Sequence, residues 1–100
     1  MTQRQHLENL VEVIGNLANI PTSRENAESS GKSYYLQLEH NSHYGGYRLV
    51  GVKVDSGGHI GAFGDNGIEP RMKGKEMEIK LRGIISGIEY AQKQFFKVKN

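Results

Sequence analysis

The last third of the chain carries Met77, Leu81, Ile84, Ile85, Ile88, Ala91 and Phe95 at the three- and four-residue spacing that stacks side chains on one face of an α-helix. An apolar stripe about five turns long cannot bury itself, so the rest of the chain must supply the surface that covers it. The spacing predicts a helix over 74–96, followed by a basic tail at 97–100. Glu76 and Glu78 fall in its first turn and Lys93 and Lys97 near its last, the order that the helix dipole favours. Gly83 and Gly87 share one side of this helix. Two mid-helix glycines cost roughly 1 kcal/mol each relative to alanine, which predicts close packing against them by the sheet, by another helix or by a second copy in a homodimer.

The covering surface is legible upstream. Leu7, Leu10, Val11, Ile14, Leu17 and Ala18 form a second helical stripe, predicting a helix over 2–20 with Thr2 as its N-cap and Pro21 as its stop. Residues 21–33 are polar apart from Ala27 and form a surface loop, long enough to hold a short helix around Arg24 to Glu28. Tyr34, Leu36 and Leu38 then alternate with Tyr35, Gln37 and Glu39, which predicts a strand with one buried face and one wet face. A second strand runs from Tyr47 to Val54, and the adjacent Leu49 and Val50 beside Gly51 predict a bulge. Asp55-Ser56-Gly57-Gly58 is a hairpin loop into a third strand at 59–63, and Ile68 to Pro70 offers a fourth, edge-like strand. One domain of α+β class follows: an N-terminal helix, a three- or four-stranded antiparallel meander over 34–70 and a C-terminal helix, with both helices on one face of the sheet.

Composition narrows the class further. One hundred residues suffice for a single core, and no apolar run approaches the ~20 residues of a membrane span. With no cysteine there is no disulfide framework and no thiolate nucleophile, which fits a cytoplasmic location. The formal charge of +2 conceals a division. Residues 71–100 hold eight bases against three acids, a net +5, whereas residues 1–70 hold five bases against eight acids, a net −3. Arg71, Lys73, Lys75 and Arg82 therefore make the start of the last helix a candidate contact for an anionic partner.

Other motifs compete with simpler explanations. Gly58, Gly61, Gly64 and Gly67 recur every third residue, but without the strand-loop-helix context of a phosphate cradle they are turn and strand glycines. His40, His43 and His59 resemble metal ligands in type, yet scattered loop histidines are the commoner case and no metal or other cofactor is expected. No serine or carboxylate pair sits in a catalytic spacing, so the chain reads as non-enzymatic. The segment from His40 to Arg48 concentrates His43, Tyr44, Tyr47 and Arg48 around Gly45-Gly46, the mixture that binding loops use. Tyr34 and Tyr35 with Arg48 and Lys53 could form a stacking platform for single-stranded nucleic acid, although Glu39 shares the face.

The order helix, three strands, helix resembles double-stranded-RNA-binding domains. That likeness would place His40 and His43 in an RNA-contacting loop and Arg71, Lys73 and Lys75 at the phosphate-contacting start of the last helix. The run from Tyr44-Gly45-Gly46-Tyr47-Arg48-Leu49 through Ser56-Gly57-Gly58 to Glu76-Met77 and Leu81-x-Gly83 also looks like small proteins of bacterial prophages and other mobile elements. This second likeness implies a short accessory protein that acts by binding. The sequence therefore points to a protein-binding module, and a nucleic-acid-binding module is the alternative.

Overall fold

The computed structural model describes residues 2–40, 45–60 and 71–99, with the backbone alone over 95–99. The first helix, α1 (Gln3–Ala18), opens on a reciprocal cap. The Thr2 hydroxyl accepts from the Gln5 N–H at 3.2 Å, and the Gln5 side-chain carbonyl accepts from the Thr2 N–H at 2.9 Å. Two of the N–H groups that every helix start leaves unpaired are satisfied in this way. The helix ends two residues short of the predicted end at residue 20. Asn19 takes the left-handed conformation at φ 57°, and the Ile20 N–H donates back to the Gly15 carbonyl at 2.8 Å. Pro21 follows a turn that is already closed. Gly15 is required by this turn, because a Cβ there would lie 2.6 Å from the Ile20 carbonyl oxygen.

The polar segment does hold a short helix, α2 (Arg24–Ser29), capped by the Ser23 hydroxyl accepting from the Asn26 N–H at 3.2 Å. Its one apolar residue, Ala27, is fully buried. The Leu36 N–H then donates to the Pro21 carbonyl at 2.9 Å, so the loop covers part of the outer edge of the first strand.

Three antiparallel strands follow, β1 (Tyr34–His40), β2 (Tyr47–Lys53) and β3 (His59–Ile60), in the order β1-β2-β3. The β1–β2 register runs unbroken from Tyr34 opposite Lys53 to His40 opposite Tyr47, so the expected bulge at Gly51 does not form. Leu49 and Val50 are adjacent for a different reason. β2 is the central strand and buries both faces, Leu49 on one side and Val50 and Val52 on the other. A strand buried on both faces reads as a near-continuous apolar run, and the expected wet face is wet at Gln37 on β1 but not on β2. Gly51 lies opposite Ile60, where a Cβ would come within 2.8 Å of the Ile60 side chain. The β2–β3 hairpin closes with the Lys53 N–H donating to the Gly58 carbonyl at 2.9 Å. The proposed extension of the third strand to residue 63 and the fourth strand at 68–70 lie outside the described residues.

The last helix, α3 (Gly74–Lys99), takes up residues assigned above to a basic tail. Its start touches the start of α1, where His6 Nε2 lies 3.3 Å from the Glu78 carboxylate. Further along, the Gln92 side-chain amide donates to the Leu17 carbonyl at 2.9 Å. The two helices therefore run side by side in the same direction. Such a pair needs a connection that returns the chain to its starting end, and the sheet is that connection. Leu7, Leu10, Val11 and Ile14 from α1 share one core cluster with Met77 and Leu81 from α3 and with Leu36, Leu38, Tyr47 and Leu49 from the strands. The chain is thus an α+β domain with an N-terminal helix, a three-stranded antiparallel sheet and a C-terminal helix.

Candidate functional site

The sheet register alone places two opposite charges together. Glu39 stands opposite Arg48 across the β1–β2 pair, on the face shared by Gln37, Val50 and Val52. Arg48 Nη2 donates to both Glu39 oxygens at 2.9 Å. His59, opposite Val52 on β3, brings its Nδ1 to 3.2 Å from Glu39 Oε2.

The fourth member comes from far along the chain. Tyr47 exchanges backbone hydrogen bonds with Met72, N–H to carbonyl at 2.8 Å and carbonyl from N–H at 3.0 Å, so the segment just before α3 pairs with the start of β2. Gly46 permits this approach. Its φ of 78° disfavours any side chain, and a Cβ would sit 3.1 Å from the Met72 carbonyl oxygen and 3.2 Å from the Arg71 Cβ. Arg71 is thereby set beside Arg48, and its Nη2 donates to Glu39 Oε1.

One carboxylate thus receives two guanidinium groups and an imidazole. Burial pushes the Glu39 pKa up, but hydrogen bonds and charge from Arg48 and Arg71 outweigh it and hold the group below its ordinary value. Glu39, Arg48 and Arg71 each keep only about a fifth of their side chain exposed, whereas His59 keeps 44%. Among the described residues, even with His59 neutral, two positive charges face one negative. Two donor atoms, Arg48 Nε and Arg71 Nη1, are shut off from solvent and have no acceptor among the described residues.

The remaining candidates fall elsewhere. His43 and Tyr44 lie outside the described residues. Tyr47 is buried in the core and packs its ring 4.7 Å from that of His40, so it supports the sheet end rather than presenting a free aromatic face. Lys73 and Lys75 are exposed beside Arg71. Arg82 is separate from them, paired at 2.9 Å with Glu78 one turn away on α3. That contact, with His6 alongside, lowers the Glu78 pKa.

Gly83 and Gly87 are exposed, and among the described residues nothing would meet a Cβ at either position, so the expected close packing within the chain is not found. The nucleic-acid platform is likewise not assembled. Tyr34 shares a face with Lys53 and Tyr35 shares the other with Arg48, and Arg48 is committed to Glu39 at the far end of the strand. The histidines do not converge either: His40 and His59 lie on opposite faces, and among the described residues no cluster suited to a metal ion occurs.

Fold and cluster together define a small α+β domain whose sheet carries a cation-rich, carboxylate-centred charge cluster at one end. No family model, curated protein or solved structure matches the chain. No helix among the described residues is long and apolar enough to cross a membrane.

Proposed function

We propose that the chain is a small cytoplasmic binding module, non-enzymatic, that takes a protein partner at the corner formed by Arg48, Arg71 and Lys73. Both helices lie on one face of the sheet, as their joint cluster with Leu36, Leu38, Tyr47 and Leu49 supports, and the contact falls to the charged end of the opposite face, beyond the buried Val50 and Val52. The carrying observation is the chemistry of the Glu39 cluster. A general base works best with a pKa near the operating pH, whereas Glu39 is held below its ordinary value and guanidinium groups do not release protons. Such a cluster presents fixed charge instead of moving protons. An accessory role of the kind that small mobile-element proteins play is consistent with it.

The nucleic-acid reading needs a row of cations for successive phosphates. Glu78 engages Arg82 and Glu39 takes one donor of Arg71, leaving Lys73 and Lys75, with Glu76 and Glu78 following them along the helix. A photo-reactive residue placed at Lys73 separates the two readings. In an extract of the source cells it should cross-link to protein, and the cross-link should disappear in the Arg71→Glu background. Cross-links only to nucleic acid, or protein cross-links indifferent to Arg71→Glu, overturn the proposal.

Self-association through the outer side of α3 is a second part of this reading. Ile79 is 74% exposed and Tyr90 65% exposed, and with Gly83 and Gly87 they repeat at three- to four-residue spacing along one side of the helix. The space above the two glycines would admit a second helix at close range.

A further inference from the structure

We infer that Arg48 and Arg71 form a receptor for a single oxyanion, a carboxylate or phosphoryl group presented by the partner, with His59 at its exposed rim. The inference rests on the binding reading above and specifies what is bound. Its ground is an imbalance of charge and of hydrogen bonds. Among the described residues, Glu39 neutralises one guanidinium, while two are withdrawn from water to about a fifth of their surface. An uncompensated, partly buried charge is costly, and a second anion is the direct means of offsetting it.

The donor inventory agrees with the charge count. A guanidinium offers five N–H groups in a planar fork matched to two-oxygen anions. Glu39 uses Nη2 of each arginine, leaving Arg48 Nε and Arg71 Nη1 without acceptors among the described residues. An unmade hydrogen bond at a buried donor costs about 1–3 kcal/mol, so an anion that reached both would recover stability as well as charge balance. Glu39 then acts as a positioning residue: it holds the two forks side by side from one flank and leaves their other donors for the ligand. His59, on the exposed side of the same carboxylate, supplies a further donor when protonated.

The probes are inorganic phosphate and acetate, each added against sodium chloride at matched ionic strength. The full chain is observed through its arginine Nε–H and backbone amide resonances. Phosphate or acetate should shift the Arg48 Nε–H resonance saturably, together with the amides of Arg48, Arg71 and His59. Removing one fork in Arg71→Gln should weaken binding about tenfold, the loss expected for one charge-assisted contact. Arg71→Lys keeps the charge, guards against a folding defect in the first variant, and should weaken binding to a similar degree because it loses the fork. Stronger binding of phosphate assigns the group to a phosphorylated partner, and stronger binding of acetate assigns it to an acidic side chain or chain terminus. Absence of a saturable shift with both anions, or shifts unchanged in both variants, overturns the receptor. Should the Lys73 cross-link to protein persist in that case, only the oxyanion site is lost and the binding reading stands.

Discussion

Glu39 illustrates how a residue's meaning depends on its neighbours across the sheet. In the sequence it dilutes a basic face, whereas in the fold it is the hub that joins β1, β2, β3 and the segment before α3. Replacing it with glutamine keeps a hydrogen-bond acceptor but leaves Arg48 and Arg71 facing each other. Glu39→Gln should therefore lower unfolding stability by about 1.5–3 kcal/mol, within the range for hydrogen bonds to charged groups. The pH dependence follows from the direction of the shift. Because the folded pKa lies below the ordinary 4.5, the contribution is fully present above that value and is lost as pH falls through the folded pKa. Urea unfolding of both proteins should show a constant stability gap from about pH 6 to 8 that narrows below about pH 4. A gap independent of pH would mean that the carboxylate charge does not hold the cluster. The Glu39–Arg48 half of this site was open to inference, since period-two alternation in both strands predicts which residues share a face. The Arg71 half was not, because no local pattern announces that residue 72 pairs with residue 47 across 24 intervening positions.

At the scale of elements, what could be read depended on whether local forces decide. Both amphipathic helices, the Thr2 cap and the short helix after Pro21 follow from periodicity and capping chemistry, which act within a few residues. The bulge at Gly51 was a misreading of tertiary burial as local irregularity: consecutive apolar residues are what a central strand with two covered faces requires. The end of α1 shows the same competition. Proline marks a limit, but the left-handed Asn19 and the close contact of Gly15 with Ile20 set the actual end. Gly15→Ala tests that account because two effects oppose each other. Alanine gains up to about 1 kcal/mol of helix propensity, whereas forcing a methyl group against a backbone carbonyl 2.6 Å away costs about 1–3 kcal/mol. Since backbone yields less readily than a flexible side chain, the clash should win, with net destabilisation of about 1 kcal/mol by thermal or urea unfolding. A stabilised variant would show that the α1–α2 turn is looser than the Gly15–Ile20 contact implies.

For the whole molecule, the two sides of α3 divide folding from association. Leu81 is fully buried in the cluster that joins both helices to the sheet, so Leu81→Ala should remove about 2–5 kcal/mol of stability whatever the oligomeric state. Ile79 is 74% exposed, and truncating it should change the stability of an isolated monomer by no more than about 0.5 kcal/mol. Its effect should appear instead in the mass. If α3 pairs with a second copy above Gly83 and Gly87, light scattering should give about twice 11.2 kDa for the wild type. Gly83→Leu should return the single-chain mass, because the larger side chain fills the space that a close helix needs, and Ile79→Ala should shift the equilibrium the same way by a smaller amount. The unfolding midpoint should then rise with protein concentration in the wild type and not in Gly83→Leu, as mass action requires of any assembly that only the folded state can form. A wild type that is monomeric and concentration-independent would remove the α3 interface. Gly83 and Gly87 would then be two helix-weakening residues that the fold tolerates because Leu81 and Met77, on the opposite side of the same helix, anchor it to the core.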